Sequence, residues 1–149
     1  MKRRMVIVLA SALLAAACSG GAPAATVSAS AIAQQYKGLA LGVDAAYLQW
    51  KAATTGATRV DQITAPAAAY AAALTNFDNA VAAIPASGKA ATDIATLLSA
   101  DQVVIADLNA AGSETASTIA AWAHHLAADG AKAIQAGQTV RADYGLPPA

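Results

Sequence analysis

Two adjacent histidines, a carboxylate set in an apolar stripe and a single cysteine are the residues of this chain with the most chemistry to offer. His124 and His125 are its only histidines. Neighbours on a helix point roughly 100° apart, so the two rings cannot chelate one ion unaided. No Cys, Asp or Glu lies three or four residues from His124, whereas His125 has Asp129 at i+4, where the two can meet on one helix face. A metal or haem site on that pair is the sharper expectation; a polar helix face beside Trp122 is the plainer one. Asp101 stands four residues from both Leu97 and Ile105. Buried there, it must be paired or protonated. At the edge of the stripe it would sit in water, which is the simpler expectation. The serines include no G-x-S-x-G elbow, and Glu114, the only glutamate, resembles a helix-start residue favoured by the dipole. Carboxylates paired for hydrolysis, phosphate-cradling glycines and zinc spacings are also missing from the sequence. No enzyme class and no cofactor is indicated.

The cysteine has a more specific setting. Lys2, Arg3 and Arg4 precede Met5 to Ala17, a run of 13 uncharged residues. A basic stretch, an apolar stretch and small residues in that order make an export signal. The apolar run is short of the ~20 residues that span a bilayer as a helix. Leu14-Ala15-Ala16-Ala17-Cys18 resembles the lipobox of bacterial lipoproteins, in which small residues precede a cysteine that is diacylglycerated and becomes the new amino terminus. The aliphatic residue usual three places before the cysteine is here Ala15, with Leu14 one place further out. The alternative is an ordinary signal cleaved after Ala17 with Cys18 left free. Cys18 is the only cysteine, so no intramolecular disulfide can form. Each buried methylene contributes about 0.8 kcal/mol and two chains anchor stably. The resemblance thus implies a membrane partner reached through covalent lipid on Cys18, at the extracytoplasmic face. Residues 1–17 are then the signal peptide, 18–30 a Gly/Ser/Ala/Pro spacer and 31–149 the folded domain.

Cleavage removes three basic residues and leaves six against nine acidic ones, a net charge of about −3. That balance argues against nucleic acid, which wants clustered Lys and Arg. Alanine dominates and favours helix. It also buries little area per residue, so helices must approach closely and a few large side chains carry the core.

Four segments show helical periodicity. The first, from about Ser30 to Ala53, carries Ile32, Tyr36, Leu39, Val43, Ala46 and Trp50 at alternating spacings of 4 and 3. Gly38 and Gly42 beside that seam suggest close helix contact. Thr64 as cap and Pro66 in the first turn open the second, which carries Tyr70, Leu74, Phe77, Val81 and Ile84. The third runs from about Lys89 to Ala110 with Asp101 in its stripe. The fourth, from about Glu114 to Tyr144, points Ile119, Trp122, Leu126, Ala133, Ile134 and Val140 inward and carries Gly130 and Gly137 as signs of close contact or a kink; it could also be two helices. Gly145 with Pro147 and Pro148 ends it. The expected fold is all-α, a small up-and-down antiparallel bundle of about four helices.

From Asp93 onward the chain resembles a group of alanine-rich lipoproteins of high-GC Gram-positive bacteria. The resemblance rests on the Asp-Ile-Ala-Thr-Leu-Leu opening at Asp93, the Ala-Asp-Leu around Asp107, the position of Trp122, and Val-Arg-Ala-Asp-Tyr-Gly-Leu-Pro-Pro over residues 140 to 148. Members usually have Leu where Tyr144 stands. The resemblance implies a helical, lipid-anchored protein and brings no activity with it. The leading expectation is a tethered binding or interaction module of the cell envelope. A carrier of a small apolar ligand or haem, using Trp122, His125, Tyr36 and Asp101, is the second, and an enzyme is the weakest. The aromatic residues are expected chiefly to fill the core.

Overall fold

A computed structural model describes residues 28–148. The leader, Cys18 and the spacer up to residue 27 lie outside the described residues. Four α-helices follow one another: α1 (Ala29–Thr54), α2 (Val60–Ala82), α3 (Gly88–Ala110) and α4 (Ile119–Asp143), with a 3-10 turn at Ala111–Ser113. The all-α bundle expected from periodicity is the observed fold, and the fourth segment is a single helix.

The helix ends follow from local chemistry. Ser28 Oγ accepts from the Ala31 amide at 3.2 Å and caps α1, so the helix opens two residues before the boundary at 31. Gly56, at φ +77°, turns the chain after α1. α2 begins at Val60, earlier than Thr64 and Pro66 suggested. Gln62 Oε1 accepts from the amides of Thr58 (3.0 Å) and Arg59 (3.1 Å) and satisfies two donors at the helix start. Pro66 therefore lies inside the helix, where it has no N–H to offer the Gln62 carbonyl. α4 begins at Ile119 rather than near Glu114. Thr118 Oγ1 accepts from the Thr115 amide at 2.9 Å, and such hydroxyls hold their backbone in turns instead of helix. Its other end is a Schellman cap. Gly145 takes φ +65°, Leu146 N–H reaches the Arg141 carbonyl at 2.9 Å and Gly145 N–H reaches Ala142 at 3.0 Å.

Three seams hold the bundle, α1 on α2, α2 on α3 and α3 on α4. α1 and α4, which would close a fourth, stand apart. The core falls into two apolar clusters. One, towards the α1–α2 turn, holds Ile63, Leu74, Val104, Leu108, Trp122 and Leu126. The other, towards the α2–α3 turn, holds Tyr36, Phe77, Val81, Ile94, Leu97 and Val140. Burying each such side chain contributes about 1.5–3 kcal/mol. Asp101 lies in sequence between the two clusters on α3, Asp78 lies between Phe77 and Val81 of the second cluster on α2, and both are buried. The stretch Gly88–Ser113 is apolar and long enough by composition to cross a membrane. Here it packs against both α2 and α4, the place of a core helix.

Some inward-facing assignments shift. The buried seam of α1 is Ala33, Tyr36 and Ala40, continued by half-buried Val43, Tyr47 and Trp50. Gly38 and Gly42 are exposed, and a Cβ on either would meet nothing within 4 Å. They make no close helix contact. Ile134 is 57 % exposed rather than inward.

Candidate functional site

Where α1 and α4 stand apart, an apolar cleft of about 660 Å³ opens along the bundle. Its width has a cause in the sequence. The α4 wall is largely small residues, among them Ala123, Ala127, Gly130, Ala131 and Gly137. A Cβ on Gly130 would meet nothing within 4 Å. The floor is the large side chains of α2 and α3, including Leu74, Phe77, Leu97 and Val104. Exposed Ile134 also lines the cleft, which explains why an apolar side chain on α4 remains uncovered.

The aromatic residues border this cleft as well as filling the core. At the end near the α1–α2 turn, Trp50 stacks on Tyr70 with ring centroids 5.7 Å apart, and Tyr47 lies 5.9 Å from each. Trp122 stands on the α4 side and is held by its indole N–H, which donates to the Asp107 carbonyl at 2.7 Å. At the other end Tyr36, 2 % exposed, bridges the gap. Its hydroxyl donates to the Gly137 carbonyl at 3.4 Å, and its ring meets Phe77 at 6.1 Å and Tyr144 at 5.5 Å. Burial pushes the Tyr36 phenol up to about 12 and raises that of Tyr70 as well.

Asp101 is 4 % exposed and faces the cleft, so the expectation of a solvated stripe edge is overturned. Burial first, and then the neighbouring Asp78 carboxylate, push its carboxyl up to about 8. Asp78 is raised too, by burial. Two buried carboxyls side by side cannot both ionise. They share a proton, with Asp101 the protonated member at neutral pH. Gln102 Nε2 donates to Asp78 Oδ2 at 2.9 Å and holds that carboxyl in place. The pair acts as one acid with two coupled ionisations.

Of the four residues singled out for ligand binding, Tyr36, Asp101 and Trp122 are brought to the cleft and His125 is not. Both histidines are exposed on α4. Asp129, the expected partner of His125, is bonded instead by Lys132 Nζ at 2.7 Å. Among the described residues no group of three His, Cys, Asp or Glu is placed to hold a metal ion. A haem in the cleft would find no histidine there. Sequence reasoning missed Arg141, which lines the cleft at the Tyr36 end and is only 9 % exposed. Its place in the last turn of α4 was the available signal. A cation there is also what the helix dipole favours, so position alone does not separate a ligand contact from a helix-end charge.

Fold and cleft together define a class: a four-helix bundle with one seam left open as an apolar, ligand-sized groove. No family model, no curated protein and no solved structure matches the chain.

Proposed function

We propose that this chain is a lipoprotein of the cell envelope, tethered through acylated Cys18 on the extracytoplasmic face of the membrane, whose helical domain binds a small apolar molecule in the α1–α4 cleft. The observation that carries the binding role is the cleft itself, 660 Å³ of mostly apolar lining with a few placed polar groups. Ligand pockets run to about 300–1,000 Å³ with that composition. Binding is favoured over catalysis because the two acidic groups buried at the cleft are engaged with the protein. Asp101 shares its proton with Asp78, and the Tyr36 hydroxyl is given to Gly137. The tether rests on the basic and apolar leader and the small residues before Cys18.

The binding role is tested with the environment-sensitive dye N-phenylnaphthylamine and a melting curve. The expected result is enhanced emission and a higher melting temperature with the dye, both lost in Trp122→Ala and in Ala127→Trp, which fills the groove. A wild-type chain that neither brightens the dye nor melts higher with it would remove the binding role. The tether is tested separately by mass spectrometry of the membrane fraction. A diacylglyceryl adduct on Cys18 is expected, and retention of Cys18→Ser in that fraction would contradict it.

A further inference from the structure

We propose that the occupant of the cleft is a long-chain carboxylic acid, its alkyl chain lying between α1 and α4 and its carboxylate seated on the Arg141 guanidinium. This rests on the binding role proposed above and adds the chemical class of the ligand.

Shape is the first argument. Along α1 the lining runs from Tyr36 to Thr54 and along α4 from Ile119 to Arg141. At ~1.5 Å per residue these spans are about 27 Å and about 33 Å. Spread over that length, the 660 Å³ forms a groove much longer than it is wide, the proportions of an extended chain. The small side chains of α4 line the groove without pinching it shut.

Charge is the second argument, and it is independent of shape. The charged residues lining the cleft are Asp44, Asp101 and Arg141, so Arg141 is its only cation. Asp44 is exposed, and Asp101 is neutral while it holds the proton shared with Asp78. Arg141 is 9 % exposed, donates through Nε to the Pro147 carbonyl at 2.8 Å, and forms no ion pair among the described residues. A buried cation without a counter-charge is unfavourable. The two Nη groups left over form a fork that fits the two oxygens of a carboxylate. One cation balances a monoanion; a phosphate monoester would carry close to two charges into the same place. The Nε bond to Pro147 and the Schellman cap at Gly145 keep the guanidinium in position.

Polarity along the groove is the third. Its Arg141 end also holds Tyr36 and Gln138, whereas the far end, lined by Ile63, Ile119 and Trp122 together with Trp50, Thr54 and Tyr70, carries no charged residue. Charge at one end only describes an amphiphile rather than a hydrocarbon.

The experiment uses the full chain with Cys18→Ser, which keeps it out of micelles, and measures displacement of N-phenylnaphthylamine by palmitate and by hexadecanol. These share a chain length and differ in charge. Palmitate is expected to bind at least about tenfold more tightly than hexadecanol, since hydrogen bonds to a charged group are the strong ones. In Arg141→Gln that ratio should fall towards one while hexadecanol affinity holds, and Arg141→Lys should restore part of it. Circular dichroism of each variant checks the fold, and the wild-type ratio needs no variant at all. Equal affinities in the wild type, or an unchanged ratio in Arg141→Gln, would overturn the assignment and leave Arg141 as a brace for the chain end. If the dye itself does not bind, the cleft is no ligand site and both proposals fall together. Dye binding with no preference for palmitate removes only the acid.

Discussion

The seam between α2 and α3 and the gap between α1 and α4 are built from the same alanine-rich sequence and end up as opposites. The first is filled by Val81, Leu97 and Leu108, each no more than 2 % exposed, and even encloses two carboxyls. The second is walled on α4 by Ala127, Gly130 and Ala131 and stays open. Large residues on one face of a helix close a seam. Small ones close it only if the partner helix comes near, and α1 instead borders the gap with its own Tyr36, Tyr47 and Trp50. In a chain with so few bulky side chains, where they fall decides which seam is core and which is groove.

The sharpest way to break that contrast is to exchange the side-chain sizes. Leu108→Ala, in the filled region, should cost about 2–5 kcal/mol of unfolding free energy in urea titrations, because a cavity forms that the neighbours only partly fill. Ala127→Leu, in the open one, should shift stability by only about 0.5 kcal/mol either way while weakening dye binding. Equal losses at the two sites would mean the gap is as tightly packed as the seam.

A smaller effect should come from the carboxyls. Asp101 has a folded-state value of about 8 against an ordinary 3.8, so the fold holds a proton that the unfolded chain releases between those values. Stability should therefore fall as pH rises from about 4 to about 8. Asp78 on α2, and the phenols Tyr36 on α1 and Tyr70 on α2, are the titratable groups nearest in influence. Asp101→Asn keeps a donor for Asp78 and removes the ionisation. At pH 8 it should be more stable than the wild type, by on the order of 2 kcal/mol, with little difference at pH 4. A parallel pH dependence in the two proteins would show that the pair shares no proton.

The smallest change is at Gly130. Its Cβ position is empty, so Gly130→Ala should stabilise α4 by about 0.5–1 kcal/mol through helix propensity alone. A loss of stability in the same urea titration would mean that the α1 wall lies closer than it stands here.

The helices were legible in the sequence because apolar spacing reports a helix face whatever packs on it. Tyr36, Trp122 and Val140 stand inward as their periodicity required. The start of α2 was not legible, since Pro66 resembles a first-turn residue and the Gln62 cap acts from four residues upstream of it. Part of the α1 seam was hidden too, because its Ala33 and Ala40 carry no hydropathy signal against so much other alanine. Tyr36, Asp101 and Trp122 stand out as binding residues by type and stripe position. That they share one cleft depends on α1 and α4 standing apart, a tertiary outcome that no single helix encodes. His125 stands out for its chemistry alone, and tertiary packing leaves it on the outside.

Placing the only two indoles of the chain, Trp50 and Trp122, on facing walls of one groove gives the molecule a built-in gauge. Their natural emission colour tracks how wet that groove is. Filling or emptying it can be followed by ultraviolet excitation alone, with no label attached.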